Sequence, residues 1–187
     1  LSASNTKSYS IGPDGNGSFL SPGENPDGSS SAQDVTVFYQ YDKNGQLMGA
    51  VGNGSFQSND GFGNISQGDI TQAYQIIRGQ AKLSSSITIS DAYHEENGVI
   101  IAGNLDGSTS RQEMTVSYKY DGNGLLLDAV GNGSFQSDDS FGNISQGNIT
   151  QTYRIIKGQA KLASSTTISD SYHREKSAMV LGSLDGS

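Results

Sequence analysis

Two histidines lie at matching places in the chain, each followed two residues later by a glutamate. The pairs are His94 with Glu96 and His173 with Glu175. In a β-strand, residues two apart point to the same face, so each pair could offer an imidazole and a carboxylate to Zn²⁺ or Cu²⁺. The other interpretation, which we favour, is a histidine beside a charged hairpin tip on a solvated face.

Carboxylates in two glycine-rich loops could hold a harder cation. Asp60 lies close to Asn64, and Asp138 and Asp139 lie close to Asn143. Carboxylate and amide oxygens are the ligands that Ca²⁺ takes in proteins, although ordinary solvated turns use the same residues. Asp60, Asp138 and Asp139 are therefore our candidate calcium ligands, and we expect no other cofactor.

A third acidic motif fits a turn better than a metal loop. It reads Asp42-Lys-Asn-Gly45 and returns as Asp121-Gly-Asn-Gly124. An EF-hand loop would need a ligand two residues before the aspartate and a glutamate at its twelfth position, where the first copy has Gln40 and Val51. Asn-Gly between alternating strands is a strong hairpin signal, so we predict a hairpin at each copy.

No set of residues points to catalysis. The chain has no cysteine and no Gly-x-Ser-x-Gly nucleophile elbow. Aspartate and glutamate alone leave paired-acid glycoside chemistry open, but small units of short strands leave little room for a large cleft. We expect that the protein is not an enzyme.

These residues are positioned by an internal repeat. Residues 34–108 align without a gap with residues 113–187 at an offset of 79, and 50 of the 75 aligned residues are identical. Residues 109–112 are predicted to form a linker between the two units. Residues 25–34 run in register with 104–113, so residues 1–33 are an N-terminal extension that is either a remnant of a preceding repeat or a donor strand.

Period-2 alternation dominates each unit and predicts strands. Val35, Val37 and Tyr39 share one face, for example, and turn signals recur between such segments. About six short strands per unit favour an all-β fold, with two homologous antiparallel β-sandwich or barrel-like units and an extended N-terminal segment. Ile70–Arg78 also fits a helical face, but its Ile, Thr and Tyr content favours a strand.

One block is the same in both copies, Ala50–Ser58 and Ala129–Ser137. Its glycines and asparagines are expected to hold positive φ angles, which few other residues accept.

Composition excludes several classes of protein. The formal net charge is -8, and the scattered Lys and Arg form no footprint for nucleic acid. No apolar run is long enough to insert in a membrane as a helix. The polar, Gly-, Ser- and Asn-rich chain is typical of a secreted or cell-surface protein. Its six Asn-x-Ser/Thr sequons fit either surface glycosylation or chance in such a composition.

The leading functional prediction is an extracellular structural or adhesive repeat protein that self-assembles into fibres or matrix. Ser8–Ile11 alternates like a strand, and Phe19 and Leu20 follow it. Residues 1–33 could add as a strand to a neighbouring molecule, giving a homo-oligomer or filament. The assembly residues are predicted to be Tyr9, Ile11, Phe19 and Leu20.

The alternative is a lectin-like carbohydrate-binding module with two equivalent sites that bind glycans. The chain has no tryptophan, so other aromatic rings would have to stack on the sugars. The candidate ligand-binding residues are Phe62, Tyr93 and His94 in the first unit and Phe141, Tyr172 and His173 in the second.

Overall fold

The computed structural model describes residues 2–175 and 178–182, and within them the chain forms eleven antiparallel strands. In chain order these are β1 (Ala3–Tyr9), β2 (Ser30–Tyr41), β3 (Leu47–Asn59), β4 (Asn64–Ile77), β5 (Gln80–Glu96), β6 (Val99–Ala102), β7 (Thr109–Tyr120), β8 (Leu126–Asp138), β9 (Asn143–Ile156), β10 (Gln159–Glu175) and β11 (Ala178–Leu181). The all-β, antiparallel prediction is confirmed.

The turns follow from the sequence signals. Asp42 closes the β2–β3 turn, because its Oδ1 accepts the backbone N–H groups of Asn44 and Gln46, and Gly45 takes a φ of 80°. Asp121 makes the same bonds to Asn123 and Leu125. The strand prediction for Ile70–Arg78 is confirmed for the part that ends at Ile77, since β4 runs through it.

The strands form one open sheet instead of a sandwich or barrel in each unit. The order is β1-β2-β3-β4-β5-β7-β8-β9-β10-β11, with β6 paired to β5. The two repeats are joined edge to edge, because Ser85–Asp91 of β5 pairs with Arg111–Ser117 of β7. Residues 109–112, predicted as a linker, lie inside β7.

Too few apolar side chains are available for a second packed layer. The accessible surface is 11659 Å², whereas a folded monomer of 19.6 kDa would expose roughly 8,600 Å². Among the described residues, eight hydrophobic side chains are buried: Val35, Ala50, Ile65, Ile70, Met114, Ala129, Ile144 and Ile149. A sandwich would need apolar residues on two facing sheets, and this composition supplies only a thin stripe.

Cross-strand pairing separates the two sides of the sheet. Face A is the side that carries Val35, Ile70 and Met114, which lie in one row across the strands. Face B is the opposite side, which carries Thr36 and Arg111. Six of the eight buried side chains lie on face A, and Ile65 and Ile144 are on face B.

The expectation of positive φ angles in the block Ala50–Ser58 is wrong, because Gly52 and Gly54 have none. Both lie within β3, where space is the constraint. A Cβ on Gly54 would lie far inside van der Waals contact with the carbonyl oxygen of Asp34, and one on Gly52 would come within 2.7 Å of Gln72 Oε1. Gly54 therefore allows the close approach of the β2 backbone, and Gly52 makes room for the Gln72 side chain on face A.

Candidate functional site

One edge of the sheet is open over seven residues. β10 pairs with β9 from Gln159 to His173, and on its other side it pairs with β11 from Tyr172 to Glu175. No other strand of the described chain pairs with Ser164–Asp170 on that side. The same positions of the first repeat, Ser85–Asp91, are paired on both sides, with β4 and β7. The open edge of β10, Ser164–Asp170, is therefore a pairing surface that the first repeat uses and that no strand among the described residues covers in the second.

The chemistry of this edge suits pairing with another strand. It reads Ser-Ser-Thr-Thr-Ile-Ser-Asp, and every one of these side chains is exposed. Ile168, the one large hydrophobic residue of this segment, is 72% exposed to solvent. Natural sheets commonly protect their edges with lysine, proline or short strands, and Ser164–Asp170 contains neither residue.

The opposite edge is the N-terminal strand β1. It pairs with β2 of the same chain from Ala3↔Phe38 to Tyr9↔Ala32. Within the predicted assembly set, Tyr9 is the last residue of this strand, and its side chain is 42% exposed. Ala3–Tyr9 of the predicted donor segment therefore form a strand in the sheet of the same chain.

The other three predicted assembly residues lie in the loop between β1 and β2. Ile11 and Leu20 are exposed, Leu20 at 93%. Phe19 lies beneath the Lys7 ammonium, which is 4.3 Å from the ring centroid. Their role in assembly stays a prediction.

The candidate calcium residues are engaged in turn formation. Asp60 Oδ1 accepts the backbone N–H groups of Phe62 and Asn64, and its Oδ2 accepts the Asn64 side-chain amide at 2.9 Å. Asp139 does the same with Phe141 and Asn143, and Asp138 Oδ1 accepts the N–H of Ser140. These N–H donors tie the three carboxylates into the turns of their own loops, and their role as calcium ligands stays a prediction. Within the described ranges, no three or more His, Asp or Glu side chains come together as metal ligands.

These hydrogen bonds make the stability of the fold depend on pH. The Asn64 side chain, then the Phe62 amide, lower the pKa of the Asp60 carboxyl below its ordinary value. A carboxyl with a lowered pKa in the folded state contributes stability above its unfolded pKa and loses it as the pH falls through the folded pKa.

We expect Asp60→Ala to lower the midpoint of thermal unfolding at pH 7, and we expect the difference from wild type to narrow as the pH falls below 3.8, the ordinary value. Asp69→Ala is the matched control, because Asp69 is an exposed aspartate whose carboxylate forms no side-chain hydrogen bond with the described residues. A wild-type-like midpoint for Asp60→Ala at pH 7 would show that the turn does not depend on this carboxylate.

The candidate ligand-binding residues of the first unit do not converge. Phe62 is 79% exposed on the β3–β4 loop. Tyr93 and His94 are consecutive in β5 and point to opposite faces. The His94 ring is held by its own chain, with Nδ1 2.7 Å from the carbonyl oxygen of Gly103.

The second unit repeats this arrangement. Phe141 is 82% exposed, Tyr172 and His173 are consecutive in β10, and His173 Nδ1 lies 2.8 Å from the carbonyl oxygen of Gly182. Each histidine therefore fastens the strand to the glycine that follows the next short strand.

A polar row across face B was missed in the sequence. Gln57, Gln67, Asp91 and Arg111 lie side by side on β3, β4, β5 and β7. Arg111 Nη1 donates to both carboxylate oxygens of Asp91, at 2.9 and 2.7 Å. These four side chains form the floor of an open groove, and the loop that contains Phe19 lies over it. The retention of both glutamines in the second copy was the available signal, but only the strand register shows that they are neighbours.

A smaller groove lies at the matching place in the second repeat. It is lined by Gln136, Gln146 and Asp170, which extend the same row across β8, β9 and β10. Face B therefore presents two related polar grooves.

Comparisons give no relative from which a function could be transferred. No protein-family model, no curated protein and no solved structure matches the chain. Of the described residues, none forms a helix with the length and hydropathy needed to cross a bilayer.

Proposed function

We propose that the protein is a non-enzymatic extracellular structural or adhesive repeat protein, whose sheet is extended when a second copy adds a strand at the open edge of β10. The observation that carries this proposal is a contrast between equivalent segments: Ser85–Asp91 is paired on both sides, whereas strands of the described residues pair with Ser164–Asp170 on one side. The secreted or cell-surface location rests on composition and stays a prediction.

The geometry of such an addition sets the form of the assembly. The open edge of β10 and the N-terminal strands lie at opposite ends of the strand order. A contact between them joins unlike surfaces, and a head-to-tail contact that does not close produces an open filament. Main-chain hydrogen bonds would supply the affinity, as they do wherever a strand adds to a sheet edge.

The single-layer architecture supports a structural role. Both faces carry mainly polar side chains, and the described residues include no buried polar or charged side chain. A sheet of this kind grows by adding strands and needs no further packed layer. The predicted absence of enzymatic activity is part of the proposal.

A carbohydrate-binding function is the second candidate, and the two related grooves on face B favour it. Gln57 and Gln67 line the first groove, and their side chains form no hydrogen bond with the described residues, so their amides are available to sugar hydroxyls. The aromatic residues predicted for stacking do not gather at these grooves, Tyr93 apart. A glycan array with the wild-type protein separates this candidate, because it requires binding at two sites per chain.

The test of the proposed function places a lysine on the open edge. We expect Thr166→Lys to raise the concentration needed for assembly by about tenfold, since a docking strand would have to desolvate the ammonium group. Sedimentation velocity and electron microscopy over a concentration series measure the effect.

The matched control is Thr150→Lys. Thr150 is exposed and lies directly beside Thr166 on face B, but its strand is paired on both sides. The control should assemble like wild type. A wild-type protein that stays monomeric at all concentrations, or equal assembly of the two variants, overturns the proposal.

A further inference from the structure

β1 pairs with β2 in the same register in which β5 pairs with β7. Ser85–Asp91 pairs with Ser117 through Arg111, and Ala3–Tyr9 pairs with Phe38 through Ala32. Phe38 and Ala32 are the residues that the offset of 79 matches with Ser117 and Arg111. β1 therefore takes, on the first repeat, the seven positions that the last long strand of a repeat takes on the next one.

The connection after β1 follows the same plan. The N–H of Gly23 donates to the carbonyl oxygen of Ser10, as that of Gly103 donates to Ala92, both at 2.8 Å. Further along, Asn25–Ser29 repeats the backbone and side-chain hydrogen bonds of Asn104–Ser108. The N-terminal segment thus imitates the junction between repeats.

From this equivalence we infer that the docking partner of the open edge of β10 is the edge of β2 in a second copy, reached when β1 leaves it. This inference rests on the proposed function and names the surface involved. The repeat fixes the register: Ser164 would lie opposite Phe38, Thr167 opposite Val35 and Asp170 opposite Ala32.

The side chains of β10 match this register. Thr167 opposite Val35 keeps the threonine that β1 places there as Thr6. Thr166 would face Thr36, a favourable cross-strand pair. Ile168 would face Asp34. The existing junction already places an isoleucine opposite a carboxylate, in Ile89 opposite Glu113.

β1 is held on β2 by exposed polar contacts. Lys7 Nζ lies 3.3 Å from Asp34 Oδ2, and the Asn5 amide donates to Asp34 Oδ1 and, at 2.8 Å, to Thr36 Oγ1. Exposed ion pairs contribute little, so the advantage of β1 is its covalent tether, which gives it a high effective concentration at β2. β1 acts as a cap that a second copy displaces as the protein concentration rises.

The first test weakens the cap in the full chain. Lys7→Glu places a carboxylate opposite Asp34 and removes the cation from Phe19. It should lower the concentration needed for assembly by about fivefold, because like charges directly opposite each other destabilise a strand pair. Lys43→Glu, in the exposed β2–β3 turn, makes the same charge change away from β1 and should leave assembly unchanged. Unchanged assembly of Lys7→Glu overturns the inference.

The second test locks the cap in place. Ser8 and Gln33 are exposed and directly paired between β1 and β2, at a separation that a disulfide can span. The chain has no cysteine of its own, so Ser8→Cys with Gln33→Cys creates a single bridge. The oxidised protein should remain monomeric, and reduction should restore assembly.

The outcomes separate the two proposals. If the oxidised protein assembles like the reduced one, β2 is not the docking surface, although the proposed function stands as long as Thr166→Lys still weakens assembly. If Thr166→Lys has no effect, the open edge of β10 is not used and the proposed function fails with the inference.

Discussion

Replacing Gly68 with alanine is expected to lower the free energy of unfolding by about 3 kcal/mol, the upper range for an overpacked site. Gly68 lies in β4, opposite Ser90 of β5. A Cβ at this position would lie far inside van der Waals contact with the carbonyl oxygen of Ile89. The obstacle is backbone in a paired strand, so it cannot turn away as a flexible side chain would.

The repeat and a neutral glycine provide the controls. Gly147 faces the carbonyl oxygen of Ile168 in the same way, so Gly147→Ala should also destabilise. Gly122→Ala should not, because a Cβ there meets nothing within 4 Å and its φ is not positive. Urea unfolding measures all three variants. If Gly68→Ala unfolds at the wild-type urea midpoint, the close approach of β4 and β5 does not exist.

Replacing Ile144 with alanine is expected to cost about 3 kcal/mol, within the range for truncating a buried isoleucine. Ile144 is 1% exposed, the most completely buried of the described large side chains. It lies on face B between Asp138 of β8 and Tyr172 of β10. Because the sheet buries so few apolar side chains, the loss of one is a large fraction of its stability.

The matched control is Ile168→Ala, which removes the same atoms from a side chain that is 72% exposed. Its effect on the free energy of unfolding should stay within about 0.5 kcal/mol. Thermal unfolding of both variants gives the comparison. Equal effects of the two substitutions would mean that Ile144 has no buried partners.

Local structure could be predicted from sequence because local rules determine it. Alternation identified the strands, and Asn-Gly identified the turns after Asp42 and Asp121. The choice of strand for Ile70–Arg78 rested on β-branched and aromatic residues, and β4 confirms it up to Ile77.

The arrangement of the strands could not be predicted in this way. Alternation shows that a strand has two unlike faces, but a sandwich and a single layer both produce that pattern. The difference lies in the amount of apolar surface, and among the described residues the buried hydrophobic side chains on face B are Ile65 and Ile144. Each stands between polar neighbours in the sequence, so neither is recognisable as core.

The candidate site depended on strand register, which the sequence does not show. The Asp91–Arg111 pair joins the two repeats, whereas the sequence pattern predicts a linker at residue 111. The sequence also predicts that Tyr9 pairs with another molecule, because the pattern shows no partner for an isolated segment. The match between β1 and Ser85–Asp91 becomes clear only from the pairing of each segment with its neighbouring strand. The connections differ in length, since 20 residues separate Tyr9 from Ser30 and 17 separate Asp91 from Thr109.

The central claim is that the open edge of β10 accepts a strand from a second copy, and hydrogen exchange of the Ser164–Asp170 amides tests it most directly. At low protein concentration these amides should include fast-exchanging ones, whereas those of Ser85–Asp91 should be protected. At concentrations where the protein assembles, Ser164–Asp170 should gain protection and Ser85–Asp91 should not change. Assembly without any gain of protection at Ser164–Asp170 would contradict the account.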